Sequence, residues 1–123
     1  MKLLLKDCVN EIVFTAHAAS VNAGWWRDTD IDGDRHVVPA KICLMHSELS
    51  EAMEAHRKDL MDDHLPHRKG IEVELADALI RIADLAGAMG LDLGSAVIEK
   101  MEYNAKRADH KLSNRSKVGG KAY

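Results

Sequence analysis

Two short acidic motifs are the residues whose types and spacing best suit chemistry in this chain. Glu48 and Glu51 form one pair, and Glu74 and Asp77 form the other, and in each pair the second residue follows the first by three positions. Residues at this spacing share one face of an α-helix. Two such helices packed together would bring four carboxylates to one place, where they cannot all stay ionised without a cation. Oxygen ligands favour a hard ion, Mg²⁺ or alternatively Mn²⁺, and such ions bind phosphate groups.

The apolar pattern predicts four helices that would position these motifs. Their expected spans are about Leu4 to Asn22, Pro39 to a point before Pro66, Gly70 or Ile71 to Gly87–Gly90, and Asp92 or Ser95 onward, with an apolar stripe that continues to Leu112. No segment alternates polar and apolar residues as a strand would. The sequence therefore predicts an all-α fold of the four-helix-bundle type, with a helical domain over residues 1–112 and a flexible basic tail over 113–123.

Length and composition narrow the class of protein. The chain has 123 residues and a net charge of −3, which suits one domain and gives no drive toward a nucleic acid polymer. A domain this small often completes its core by forming a homodimer or homotetramer. No apolar run approaches the ~18 residues of a membrane span. Cys8 and Cys43 lie in helical patterns without metal-ligand spacing, so we expect reduced core thiols and a cytoplasmic location.

Basic residues follow one face of the fourth predicted helix. Lys100, Asn104, Arg107 and Lys111 are spaced by four, three and four residues and border the apolar stripe. Beside a carboxylate–metal site they suit phosphate oxygens, although a basic last turn also complements the helix dipole. Arg81 follows Asp77 by one turn and has two candidate roles, pairing with Asp77 or neutralising a phosphate.

Two tryptophans and a histidine suggest where a nucleobase would bind. Trp25 and Trp26 stand in a predicted loop after Gly24, and tryptophan faces stack on bases. The other interpretation is that one of them anchors the loop to the core. His17, nine residues before Trp26, borders the first apolar stripe and suits either a ligand contact or a buried position. Glu-x-x-His, the di-iron bundle motif, is absent from the sequence, which argues against a redox site.

The order Glu-x-x-Glu, gap, Glu-x-x-Asp resembles the MazG-like all-α nucleoside triphosphate pyrophosphohydrolases. The segments that carry the resemblance are Leu44 to Ala52, Glu74 to Arg81, Glu99 to Arg107 and Gly119 to Tyr123. The resemblance implies Mg²⁺-dependent conversion of a (deoxy)nucleoside triphosphate to the monophosphate and pyrophosphate, in a dimer or a dimer of dimers whose active sites can draw on both subunits.

The same resemblance assigns roles to the residues. The metal ligands would be Glu48, Glu51, Glu74 and Asp77, and Glu51 is our choice for the base that orients the attacking water. The pyrophosphate contacts would be Lys100, Asn104 and Arg107, while Trp25 or Trp26 with His17 would hold the base. Two alternatives stay open, a phosphoribosyl-ATP pyrophosphohydrolase-like enzyme and a non-catalytic helical dimer that binds a nucleotide or a protein.

Overall fold

The computed structural model describes residues 2–121 and leaves Met1, Ala122 and Tyr123 outside the description. The described residues form helices and no β-strand, as the sequence predicts, with one isolated antiparallel bridge between Met61 and Lys69. The helices are α1 Lys2–Asn22, α2 Val37–Arg57, α3 Gly70–Ala88, α4 Leu93–Lys106 and α5 Leu112–Arg115, with a 3-10 turn at Ala108–His110. None of these helices combines the length and hydrophobicity needed to span a lipid bilayer.

Local sequence signals explain three of the helix boundaries. Gly24 takes the left-handed conformation, φ +87°, just beyond the end of α1. Pro39 falls in the first turn of α2, where its missing N–H costs nothing. Asp92 caps α4 by accepting hydrogen bonds from the Ser95 backbone N–H at 3.1 Å and the Ser95 hydroxyl at 2.6 Å. These boundaries confirm the predictions made from the same residues.

The predicted length of the fourth helix is wrong. α4 ends at Lys106, and the backbone at Arg107 is extended, with ψ 128°. Arg107 turns its guanidinium to Asp109, with Nε–Oδ1 at 2.9 Å and Nη2–Oδ2 at 2.6 Å. Lys111 therefore does not continue the face of Lys100 and Asn104, and Leu112 is 81% exposed. The short helix α5 crosses the predicted domain boundary at residue 112.

α3 is the central helix of the packing. It packs on both α1 and α2, while α4 packs on α1. The innermost cluster consists of Val13, Ala83 and Ala86, joined by the partly buried Ala16 and Leu93. Small side chains let the helices approach closely, and a Cβ placed on Gly87 would lie only 2.5 Å from the Cβ of His17. Closure into a four-helix bundle stays a prediction.

One broad surface of α2 and α3 is apolar and exposed within the single chain. We call it the apolar face and define it by Ile42, Leu49, Met53, Leu75, Leu79 and Ile82, whose exposed fractions run from 40% to 68%. The residues that α2 buries instead are Glu48, Ala52 and Ala55. The cysteines correct another prediction, because Cys8 and Cys43 are both exposed and are not core thiols in this chain.

Candidate functional site

Three of the four predicted carboxylates come together where α2 crosses α3. Oxygens of Glu48, Glu74 and Asp77 all lie within 4.8 Å of one another. Glu48 is only 6% exposed, because it falls at a position of α2 that packs against α3, in register with Ala52 and Ala55. Glu74 and Asp77 are half-buried and reach the same point from α3. The spacing that suggested convergence therefore places these side chains correctly.

Arg81 supplies the nearest positive charge. Its Nε donates to Oε1 of Glu48 at 2.6 Å, so the ion pair crosses between the helices rather than joining Arg81 to Asp77 on its own helix. The Arg81 side chain is partly exposed, at 41%. One cation therefore faces three carboxylates, and the cluster retains an excess of negative charge.

The electrostatics of the cluster reflect this excess. Burial, a hydrogen bond with Glu48 and repulsion from neighbouring carboxylates raise the pKa of Glu74 to about 7. Burial and the charge of Glu48 also raise the pKa of Asp77. For Glu48, burial acts in the opposite direction, yet hydrogen bonds, first of all from Arg81, lower its pKa. The cluster thus keeps Glu48 ionised and holds a proton on Glu74, a proton that a divalent cation would displace.

We expect the metal-free protein to lose stability as the pH rises from about 4.5 to 7. The unfolded chain releases the Glu74 proton near 4.5, whereas the folded chain holds it to about 7, so the folded state is favoured fully below 4.5 and progressively less above. At 1.36 kcal/mol per pKa unit the loss is at most ~3 kcal/mol, and solvent screening reduces it.

Urea unfolding in EDTA at pH 5 and pH 8 measures this loss. The Glu74→Gln variant should not show this loss of stability between pH 5 and pH 8. The Glu72→Gln variant, which removes an exposed carboxylate on the same helix, should still show it. A difference in unfolding free energy between wild type and Glu74→Gln that stays constant across this range would contradict the assignment of the proton.

The fourth carboxylate lies at the edge of the cluster. Glu51 is exposed and is not one of the three residues whose oxygens meet within 4.8 Å. It is still close enough to Glu48 and Glu74 to influence the pKa of each. Its position next to solvent suits a group that orients water more than it suits a buried ligand.

A cavity of about 970 Å³ opens beside the carboxylates, between α1, α2 and α3. Its volume is within the range of small-molecule sites. The charged and aromatic residues that line it are Glu11, Trp25, Lys41, Glu48, Asp77, Arg81 and Asp84. Small and apolar side chains, most of them from α1, complete the wall together with Leu44 of α2 and Ile80 of α3. The cavity therefore has an acidic end at Glu48 and Asp77 and a mixed aromatic and charged end near Asp84.

The far end of the cavity is organised by Asp84. Its Oδ1 accepts from Trp26 Nε1 at 2.9 Å and is 2.9 Å from His17 Nδ1. The rings of His17 and Trp26 meet edge to face, with centroids 5.7 Å apart. Lys41 places its Nζ 4.3 Å from the centroid of the Trp26 ring and so occupies one face of that ring. Trp25, by contrast, is 71% exposed and lines the cavity.

The predicted phosphate-contact residues lie away from this cavity in the single chain. Lys100 lies 4.7 Å above the Tyr103 ring, Arg107 pairs with Asp109, and the buried Oδ1 of Asn104 has no hydrogen-bond partner within residues 2–121. These three residues are not part of the cavity lining, because α4 packs on α1. A ligand confined to the lining of this cavity would therefore not meet these three residues in the single chain.

Sequence reasoning did not select Asp84 or Lys41. The signal for Asp84 was its position seven residues after Asp77, two helical turns along the same face of α3. Lys41 had no comparable signal, because one lysine in the first turns of an amphipathic helix is ordinary.

Comparison of the chain with protein-family models, with curated proteins and with solved structures finds no match.

Proposed function

We propose that this protein is a Mg²⁺-dependent nucleoside triphosphate pyrophosphohydrolase, which converts a (deoxy)nucleoside triphosphate to the monophosphate and pyrophosphate. The observation that carries the proposal is the meeting of Glu48, Glu74 and Asp77 within 4.8 Å at one end of a ligand-sized cavity. A hard cation at that end and an aromatic side chain along the wall suit the two halves of a nucleotide.

The carboxylate cluster fits a divalent cation by charge and by donor type. All its ligand atoms are oxygens, and burial together with repulsion from neighbouring carboxylates raises the pKa values of Glu74 and Asp77, a repulsion that a cation would relieve. When bound, the ion would polarise phosphate oxygens and provide an activated water. In this proposal Glu48, Glu74 and Asp77 hold the ion, Glu51 orients the water, and Arg81 neutralises charge on the phosphates.

The position of the tryptophans favours Trp25 as the stacking residue. Trp26 is tied to Asp84 through its indole N–H and covered by Lys41, whereas Trp25 lines the cavity with most of its surface free. We expect Trp25→Ala to weaken binding of a nucleoside monophosphate by ~1–3 kcal/mol. Calorimetric titration measures this loss, and Phe14→Ala, an equally exposed aromatic of α1, is the control. If the affinity of Trp25→Ala is unchanged, Trp25 does not contact the base.

The proposed assembly is a homodimer formed through the apolar face. Six large apolar side chains there are 40–68% exposed, and no large side chain of the described core is fully buried. A monomer rarely leaves so much contiguous apolar surface in water. The face consists of apolar residues of two adjacent helices, and the same face on a second copy can pack against it about a twofold axis. A second chain could also bring Lys100, Asn104 and Arg107 toward a ligand.

Pyrophosphate release from a panel of ribo- and deoxyribonucleoside triphosphates tests the function. Each substrate is incubated with Mg²⁺ and with EDTA, and the nucleotide product is identified by chromatography. We expect Mg²⁺-dependent release of pyrophosphate, with the nucleoside monophosphate as the other product. Phosphoribosyl-ATP is included, because hydrolysis of that compound alone would favour the second enzyme class. Mg²⁺-dependent thermal stabilisation without turnover of any substrate would favour a binding protein.

A further inference from the structure

We infer that Asp84 selects nucleotides whose base carries an amino group at position 4 of a pyrimidine or position 6 of a purine. This inference rests on the proposed function, because it assumes that a nucleotide occupies the cavity. It assigns to Asp84 a hydrogen bond with the far edge of the base. Uracil, thymine and hypoxanthine present a carbonyl oxygen at that position, and a carboxylate repels it.

One oxygen of Asp84 has no partner among the described residues, which supports this role. The two hydrogen bonds that residues 2–121 provide to Asp84, from Trp26 and His17, both use Oδ1, and neither uses Oδ2. The side chain is only 15% exposed, yet Asp84 lines the cavity. The carboxylate is thus held in place by two donors and keeps an acceptor for a ligand. Aspartate accepting from an exocyclic amino group is an established mode of base recognition.

The distance from the carboxylate cluster also fits. Asp84 follows Asp77 by seven residues, which is about two turns and ~10 Å along α3, on nearly the same face. That separation is comparable to the span from the 5′ phosphate of a nucleotide to the far edge of its base. Trp25 and Lys41 line the same cavity, so Trp25 is placed to stack on the base, and the Lys41 ammonium, which lies over the Trp26 ring, is placed to meet the carbonyl oxygen of a cytosine.

Matched substrate pairs test the inference. Cytosine and uracil differ at position 4, and adenine and hypoxanthine differ at position 6, so dCTP is compared with dUTP and dATP with dITP. We expect kcat/KM to favour the amino member of each pair by roughly tenfold or more. In Asp84→Asn this ratio should fall by roughly tenfold, because an amide can turn to donate to a carbonyl. The control Asp7→Asn, an exposed carboxylate of α1 outside the cavity, should leave the ratio unchanged.

The outcomes separate this inference from the proposed function. Hydrolysis with equal rates for both members of each pair would retain the function and overturn the role of Asp84. If no triphosphate is hydrolysed, the affinities of the wild-type protein for CMP and UMP are compared in EDTA, with tryptophan fluorescence as the readout of binding. A cytidine preference of roughly tenfold would then support the pocket without the reaction, and equal affinities would overturn it. If Asp84→Asn does not fold, Trp26→Phe replaces it, because loss of one hydrogen bond to Oδ1 should also reduce the ratio.

Discussion

Replacement of Asp77 by asparagine, or of Glu48 by glutamine, is expected to lower turnover by more than about a hundredfold while the protein stays helical. The loss of a residue that only supports a metal ligand costs ~10–100-fold, so the loss of a ligand should cost more. Both changes keep the size of the side chain and remove a negative charge from the group whose oxygens lie within 4.8 Å. The measurement is pyrophosphate release under saturating Mg²⁺, with circular dichroism to confirm folding.

A stability measurement distinguishes this explanation from general damage. In Asp77→Asn the metal-free protein should be as stable as wild type or more stable, because burial and the charges of neighbouring carboxylates raise the pKa of Glu74, and the variant removes one of those charges. The stabilisation by Mg²⁺ should nevertheless shrink together with turnover. The control is Glu72→Gln on the same helix. Glu72 pairs with Arg68 at the surface, so this change should alter neither turnover nor the stabilisation by Mg²⁺. Near-wild-type rates in Asp77→Asn or Glu48→Gln would refute the metal assignment.

Leu79→Asp is expected to convert the proposed homodimer to a monomer. Leu79 is 50% exposed in the single chain and lies in the middle of the apolar face. A twofold interface contains each substituted residue twice, and each Leu79 has about half of its surface left to bury, so the lost burial alone amounts to ~1.5–3 kcal/mol. That corresponds to a dissociation constant weaker by roughly 10- to 100-fold, before the cost of burying two carboxylates is added. Sedimentation at several protein concentrations measures the change.

The control for this experiment is Phe14→Asp. Phe14 is 71% exposed on α1 and lies outside the apolar face, so the same charge placed there should leave the dimer intact. Two results would contradict the assignment of the interface. One is a wild-type protein that sediments as a monomer at micromolar concentration, and the other is a Leu79→Asp variant that remains dimeric.

The sequence was sufficient to predict the four long helices, except for the end of α4, and the convergence of three of the four predicted acids. Gly24, Pro39 and Asp92 each have a local backbone requirement that fixes a boundary, which is why those boundaries were predictable. The end of α4 was not predictable, because the Arg107–Asp109 pair competes with a helical pattern that otherwise continues to Leu112. A side-chain interaction of this kind leaves no trace in hydrophobic periodicity.

The detailed arrangement of the site depends on packing that the sequence does not reveal. Leu49 marks the centre of the most apolar stripe of α2, and a pattern argument would turn that stripe toward the neighbouring helix. The chain instead packs α2 on α3 through Glu48, Ala52 and Ala55, because small side chains allow closer approach and Arg81 compensates the buried charge. Asp84 similarly becomes important only because His17 and Trp26 converge on it from separate segments.

The central position of α3 links the site to the assembly through helical phase. Asp77, Arg81 and Asp84 project from one side of this helix, and Leu75, Leu79 and Ile82 project from a side about half a turn away. Insertion or deletion of a single residue within α3 rotates everything beyond it by about 100°, which would move the acidic groups and the apolar groups out of position together. Length variation should therefore be tolerated in the connection over residues 58–69 and excluded from the middle of α3, where only substitutions preserve both surfaces.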